Sequence, residues 1–148
     1  MLAHYAISVV CEKSVFARDA LFVKKIAKKV LPLLFKKSCS VSLFLVSEKT
    51  MALVNKQTRG IARPTNVFSF REPRGFIAPK SNTLSIGEMY VCTPYIKKYS
   101  VPFPLDFLVL HGLLHLAGYD HHKKSETALM EKKERFLCKK TGINYPYA

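Results

Sequence analysis

The chain has 148 residues, of which 49% are hydrophobic, and these values fit one ordinary folded domain and exclude a disordered chain. No stretch approaches the roughly 18 consecutive apolar residues of a membrane span, and the first residues lack the basic and apolar regions of a signal peptide. The formal net charge of +14 favours a polyanionic partner, which means nucleic acid or an anionic membrane. A solvated basic surface without a partner is the alternative.

The four cysteines stand far apart in the sequence and form no C-x-x-C pair, so they indicate neither a zinc knuckle nor a redox motif. Two disulfides are arithmetically possible, but buried free thiols in a reducing cytoplasm are the interpretation that we favour. The cysteines concerned are Cys11, Cys39, Cys92 and Cys138.

The first half of the chain predicts two strands, over residues 5–11 and 39–46, and a helix follows each of them. The helices cover about residues 16–31 and 48–58. Ser47 is a suitable N-cap for the second helix, and Gly60 stands just past its end. In the first helix the apolar positions fall at helical spacing, and four lysines lie on the other side. Two of them, Lys24 and Lys28, are candidate phosphate contacts, although such a lysine group is more often a solvated face.

The second half predicts two more strands, over residues 67–70 and 83–91, joined by a loop over residues 73–82 that is rich in Pro, Gly and basic residues. A short helix over residues 93–99 follows. The next helix, over about residues 105–117, is apolar on nearly every side and is expected to be buried. Gly118 ends it, and a last helix covers about residues 123–140. Strands with interspersed helices predict one sheet and one core over residues 1–148, a single α+β (mixed α/β) domain with about four strands.

The buried helix carries His111 and His115, which are four residues apart and therefore lie about 40° from each other on one helix face. Two imidazoles in this arrangement can bind one metal ion, whereas a third ligand has to come from beyond the helix. Gly118 can adopt the left-handed conformation that reverses the chain and brings His121 back. The neighbouring His122 is the alternative third ligand, and only spacing favours His121. The spacing matches the extended zincin motif H-E-x-x-H-x-x-G-x-x-H.

Zinc is the metal that this set of three imidazoles favours, one ion per chain. Three protein ligands leave a fourth position for a zinc-bound water, whose pKa the metal lowers to about 7. Gly112 stands where metalloproteases carry the glutamate that acts as general base, which disfavours a peptidase. A structural zinc with a protein fourth ligand is the competing interpretation, and Cys138 is the candidate for that ligand. Asp120 is expected either to orient a ligand imidazole or to cap the last helix.

The segment over residues 111–121, HGLLHLAGYDH, resembles the motif H-G-x-L-H-L-x-G-Y-D-H of the YbeY family. A second block agrees, since Asn55, Arg59 and the run PTNVFSF over residues 64–70 resemble N-x3-R followed by P-T-D-V-L-S-F. A third block is Gly87-Glu88, where the family usually has Gly-Asp. Glu88 and Asn66 both replace an aspartate of the family. Because an Asn side chain cannot accept a proton as a carboxylate does, we do not expect position 66 to be catalytic.

The resemblance, which covers about residues 40–140, implies a single-domain, zinc-dependent endoribonuclease with the zinc at the mouth of a cleft between helices and sheet. It also implies a role in rRNA maturation, in the processing of the 3′ end of small-subunit rRNA, and in ribosome assembly or quality control. The implied partners are rRNA and ribosomal particles, with a ribosomal protein or an assembly GTPase as a further possibility. Arg59 is then expected to bind a phosphodiester oxygen and to stabilise the charge that builds on phosphorus.

Several polar residues complete the expected site. Glu88 is a second candidate, beside Asp120, for supporting a zinc ligand. Arg63 and Arg71, together with the lysines of the first helix, are expected to contact the RNA backbone. Two alternatives to the nuclease stay open: a non-catalytic ribosome-assembly module with a structural zinc, and, least favoured, a zincin-like metallopeptidase. We expect a cytoplasmic protein without membrane contact.

Overall fold

The computed structural model describes residues 2–72, 83–99 and 104–147, and the predicted loop over residues 73–82 lies outside these ranges. The described part of the chain contains four strands, β1 (Tyr5–Cys11), β2 (Cys39–Leu45), β3 (Val67–Arg71) and β4 (Leu84–Val91), and five α-helices, α1 (Ala17–Leu34), α2 (Glu48–Arg59), α3 (Thr93–Tyr99), α4 (Leu105–Leu116) and α5 (Lys124–Thr141). The predicted α+β class is therefore confirmed. None of the helices in these ranges combines the length and the apolar character of a membrane span.

The four strands form one mixed sheet in the order β1-β2-β4-β3. Strands β1, β2 and β4 are parallel, whereas β3 pairs antiparallel with β4 and ends the sheet on that side. Gly87 has a φ of +133°, and a Cβ there would lie 2.1 Å from the carbonyl oxygen of Phe70 on β3. Only glycine permits this approach, so the predicted Gly87-Glu88 block is explained by the pairing of β3 with β4.

The main hydrophobic core fills the space between one face of the sheet and three helices, α1, α4 and α5. Residues on β2 alternate between buried and half-buried, and Leu43 and Leu45 are among those that face this core. A smaller cluster lies on the other face, where Met51 of α2 packs near Phe44 and Tyr90. Helices therefore lie on both sides of the sheet, but most of the buried side chains lie on the side of α4.

Three helix ends show how the local sequence determines helix boundaries. Helix α1 continues to Leu34 and not to residue 31 as predicted. Pro32 lacks a backbone donor, but the amide of Phe35 donates to the carbonyl of Leu31 at 2.9 Å and closes the last turn. Helix α2 begins as predicted, since the Ser47 side chain accepts from the Thr50 amide at 3.2 Å. It ends at Gly60, whose φ of 75° gives a left-handed C-cap.

Helix α4 lies directly on β3 and β4, and Gly112 makes this close packing possible. A Cβ at position 112 would meet the Met89 sulfur at 2.3 Å and a Val67 methyl at 3.0 Å. The Ser69 hydroxyl donates to the Gly112 carbonyl at 3.0 Å and fixes β3 against the helix. The packing of this helix against the sheet therefore favours a glycine at position 112, since a larger residue would displace Met89 and Val67.

Candidate metal centre

Helix α4 positions two of the three predicted metal ligands. Most of its residues are buried in the core, whereas His111 and His115 are half-buried and lie on one face. Their Nε2 atoms lie 3.2 Å apart. Because adjacent helical turns bring positions four residues apart together, the local helix geometry alone produces this pair.

The turn after α4 brings the third histidine to the same point. Gly118 has a φ of +102°, and the amide of Tyr119 donates back to the carbonyl of Leu114 at 3.1 Å, so the chain reverses. The His121 carbonyl then accepts from the Thr127 hydroxyl of α5 at 3.2 Å. As a result, one nitrogen from each of the three histidines lies within 4.8 Å of the others. The structure thus brings together the residues that the spacing selected.

Glu134 supports this cluster from α5, and it was not predicted. Its Oε2 lies 3.0 Å from Nδ1 of His111, and the residue is only 4% exposed. A carboxylate on Nδ1 fixes the ring orientation and leaves Nε2 as the free ligand atom, as is usual for metal-binding histidines. The sequence did carry a signal, because Glu134 occupies the buried stripe of α5 with Met130, Leu137 and Cys138.

The electrostatic environment of His115 favours its neutral form. Burial lowers the pKa of the His115 imidazole below its ordinary value, and the charges of His111 and His121 lower it further, while Asp120 acts in the opposite direction. A metal ligand has to be a neutral imidazole, so this shift favours metal over proton binding. Three imidazoles with a buried carboxylate behind one of them fit a divalent ion such as zinc.

Two alternative ligands lie outside the cluster. His122 is exposed, and its Nε2 lies 3.1 Å from Oδ2 of Asp120. Cys138 is a buried free thiol whose pKa burial raises to about 11, which opposes the thiolate form that binds metal. Within the described residues the cluster contains only the three histidines. It therefore has the composition of a site that keeps one coordination position open.

The cluster lies at a cleft of about 600 Å³, and Arg59 lies on the same cleft. The guanidinium carbon of Arg59 lies 4.7 Å from the centre of the Phe68 ring, which holds the side chain by a cation–π contact. Strand β3 contributes Ser69 and Arg71 to the wall, and Asn66 lies just before the strand. A Cβ at Gly118 would lie 2.9 Å from Nη1 of Arg71, so this guanidinium packs against the metal-site turn. The cleft thus combines the cluster of three histidines with two arginine side chains, Arg59 and Arg71.

The two predicted supporting carboxylates, Asp120 and Glu88, lie in different places relative to the three-histidine cluster. Asp120 lines the cleft, and within the described residues its hydrogen bonds go to the turn: Oδ1 accepts from the His121 amide at 2.8 Å, and Oδ2 lies 3.1 Å from Nε2 of His122. Glu88 points to the other face of the sheet, where its Oε2 accepts from the Tyr90 hydroxyl at 3.4 Å. It therefore does not support a histidine of the cluster.

The predicted RNA-contacting residues divide into two groups. Arg71 lines the metal cleft, and Arg63 lines a neighbouring cavity. Lys24 and Lys28 belong to α1 and line neither of them. Tyr147, which was not predicted, also lines the cleft, and its ring centre lies 6.2 Å from that of Phe107. No local pattern identifies this tyrosine, because only the return of the C-terminal segment to α4 brings it there.

An α+β fold with three histidines at an open cleft is typical of the mononuclear metal-dependent hydrolases. Residues 11–142 match the family model described as Endoribonuclease YbeY, and the chain belongs to this family. The resemblance noted in the sequence is thereby confirmed.

Relatives described as Endoribonuclease YbeY are similar along most of the chain. The protein from Persephonella marina is 34% identical over 113 residues, which cover 72% of this chain and 72% of that protein. The protein from Methylococcus capsulatus is 32% identical over 120 residues, which cover 76% and 77%. The solution structure of TM1509 from Thermotoga maritima is similar with a TM-score of 0.56 and 26% identity, covering 91% of this chain and 88% of that one.

Proposed function

We propose that this chain is a zinc-dependent endoribonuclease that hydrolyses phosphodiester bonds of RNA. One observation carries the proposal: in a member of the endoribonuclease YbeY family, the three-histidine cluster and Arg59 lie on one cleft. A metal bound there supplies a Lewis acid and an activated water, which is the chemistry that phosphodiester hydrolysis needs. His111, His115 and His121 would hold this metal, and Glu134 would orient the first of them.

Arg59 binds and orients the phosphate in this proposal. A guanidinium donates two parallel hydrogen bonds to phosphate oxygens, and its positive charge stabilises the additional negative charge of the transition state. The Phe68 ring beneath Arg59 limits the orientations of its side chain. Arg71 adds a second cation on the same cleft and is suited to a neighbouring backbone phosphate.

Position 112 supports a nuclease over a peptidase. Peptidases of the zincin type place a glutamate directly after the first histidine ligand. Here the position is a glycine, so that general base is absent, and a Cβ there would lie 2.3 Å from the Met89 sulfur and would require Met89 to move. Similarly, a non-catalytic module with a structural zinc is expected to fill its fourth coordination position with a protein ligand. Within the described residues the cluster consists of three histidines and has no fourth protein ligand, which disfavours a structural zinc.

The proposed biological substrate is rRNA, with a role in maturing the 3′ end of small-subunit rRNA and in ribosome assembly or quality control. A net charge of +14 supports a polyanionic substrate of this kind. Ribosomal particles, and a ribosomal protein or an assembly GTPase, are the proposed partners. Four free cysteines support a reducing compartment, and we propose the cytoplasm.

The test is substitution of one ligand. In His115→Ala we expect the metal content to fall from about one ion per chain to nearly none, and cleavage of rRNA fragments to be lost. His4→Ala, which alters an exposed histidine just before β1, should keep both. Metal content is measured by elemental analysis, and cleavage by gel electrophoresis of end-labelled RNA. Full cleavage by a metal-free His115→Ala protein would refute the proposal.

A further inference from the structure

A second cavity adjoins the metal cleft and shares Arg59 and Thr65 with it. We call it the flanking pocket. It has a volume of about 490 Å³, and its wall includes Asn55, Arg59, Ile61, Arg63, Tyr95 and Tyr99. These residues come from α2, from the segment after it and from α3. Because Arg59 lies on both cavities, a polymer bound across the metal centre can continue into the flanking pocket.

Two tyrosines give the flanking pocket an aromatic surface. Tyr95 and Tyr99 lie one turn apart on α3, and their ring centres are 5.0 Å from each other. Tyr95 packs against the small cluster around Met51, so the inner ring is held in place. Tyr99 is 64% exposed. An exposed ring supported by a fixed one is suited to stacking with a flat heteroaromatic group, as nucleobases do in single-stranded RNA.

A buried amide fixes the segment that carries Arg63. Asn55 is only 4% exposed, and its Nδ2 donates to the Arg63 carbonyl at 2.8 Å. This hydrogen bond joins α2 to the segment after it, so the backbone of Arg63 is held at the wall of the flanking pocket.

The charge around the flanking pocket suits the backbone of a nucleotide. Arg59 and Arg63 are both exposed and provide two guanidinium groups. Glu48 also lines the pocket, but the ammonium group of Lys98 lies 2.9 Å from its carboxylate and compensates its charge. The pocket therefore offers an aromatic face and two cations, and these match the base and the phosphates of one nucleotide.

We propose that the flanking pocket binds the nucleotide next to the scissile phosphodiester of a single-stranded RNA, an inference that rests on the proposed function of the metal cleft. Tyr99 stacks on the base, and Arg63 binds the phosphate on the far side of that nucleotide. Arg59 binds the phosphate between the two cavities. Only an unpaired strand fits this arrangement, because the bases of a duplex are stacked on each other and are not available to the pocket.

The experiment measures binding of a fluorescein-labelled RNA hexanucleotide by fluorescence anisotropy, with the full chain in chelator so that the RNA stays intact. A hexamer of abasic ribose phosphates serves as the matched ligand without bases. We expect Tyr99→Ala to raise the Kd for RNA roughly 5- to 100-fold and to leave the Kd for the abasic hexamer unchanged. Tyr99→Phe should bind as the wild type does. Arg63→Ala should weaken both ligands and reduce the salt dependence by about one unit of slope.

Two control variants change exposed residues outside the pocket: Phe136→Ala removes an aromatic ring, and Arg18→Ala removes an arginine. Phe136→Ala should not raise the Kd for RNA as Tyr99→Ala does, and Arg18→Ala should not weaken binding as Arg63→Ala does. Equal RNA binding by Tyr99→Ala and the wild type, or an equal loss for the abasic hexamer, would overturn the assignment of the pocket. Tyr99-dependent binding by a metal-loaded wild type that does not cleave RNA would support the pocket and overturn only the proposed function.

Discussion

At the scale of single residues, the three-histidine cluster depends on residues that are close in the sequence and on one distant residue, Glu134. One helical turn brings His111 and His115 together, and Gly118 allows the chain to reverse after the helix. Both features are local, so the spacing of these residues was enough to predict them. Glu134 reaches His111 from another helix, 23 residues further along the chain. A glutamate in the buried stripe of α5 indicates some polar partner, but only the packing of α5 against α4 identifies which one.

The Glu134 carboxylate should control metal affinity. Glu134→Gln keeps an acceptor near Nδ1 of His111 but removes the negative charge, so we expect metal affinity to fall about 10- to 100-fold. Glu134→Ala also removes the acceptor and should weaken binding at least as much. Zinc affinity is measured by competition with a chromophoric chelator. Glu131→Gln, an exposed change on the same helix, is the control, and an unchanged affinity in both Glu134 variants would rule out this role.

At the scale of elements, the sequence predicted nearly every helix and strand in the described ranges, because apolar periodicity and caps are local. The order of the strands could not be predicted, since it depends on contacts between distant segments. Strand β3 inserts antiparallel at the edge of an otherwise parallel sheet, and no pattern in residues 67–71 specifies this. The role of Gly112 is similar: its packing against Met89 appears only once α4 lies on β4.

Glu12 joins two elements, and its contribution should depend on pH. Its carboxylate accepts from the Thr50 hydroxyl and from the Ser47 amide, which ties the end of β1 to the start of α2. The hydrogen bond from Thr50 is the largest cause that lowers the pKa of Glu12 below 4.5, and burial opposes it. Since the folded-state pKa lies below the unfolded one, the stabilisation is present above pH 4.5 and is lost as the pH falls through the folded-state value.

The variant Glu12→Gln tests this link. At pH 7 we expect a free energy of unfolding lower by up to about 1 kcal/mol, because the carboxylate is largely exposed. At a pH well below 4.5 the difference between the two proteins should shrink towards zero. Urea unfolding followed by circular dichroism gives both values. A difference that stays constant over this range would show that ionisation of Glu12 does not contribute.

At the scale of the whole molecule, composition and charge set limits without giving a site. The +14 charge favoured a nucleic acid as partner, but the lysines of α1 lie away from both cavities, and the arginines of the cleft and the flanking pocket are a small part of the total. Tyr147 illustrates the same limit, since the fold brings the C-terminal segment to α4. Contacts of this kind join segments that are far apart in the sequence, so a local sequence pattern cannot predict them.

Metal binding should stabilise the entire fold, because the cluster joins the end of α4 to the segment before α5. An ion that binds only the folded chain adds about 2.7 kcal/mol at 100 times its Kd. For a chain of this length each kcal/mol raises Tm by roughly 2–4 °C, so zinc should raise Tm by roughly 5–11 °C. His115→Ala should lose this increase and His4→Ala should keep it, as measured by differential scanning calorimetry with zinc or with chelator. An equal increase in His115→Ala would mean that zinc stabilises the protein from a different site.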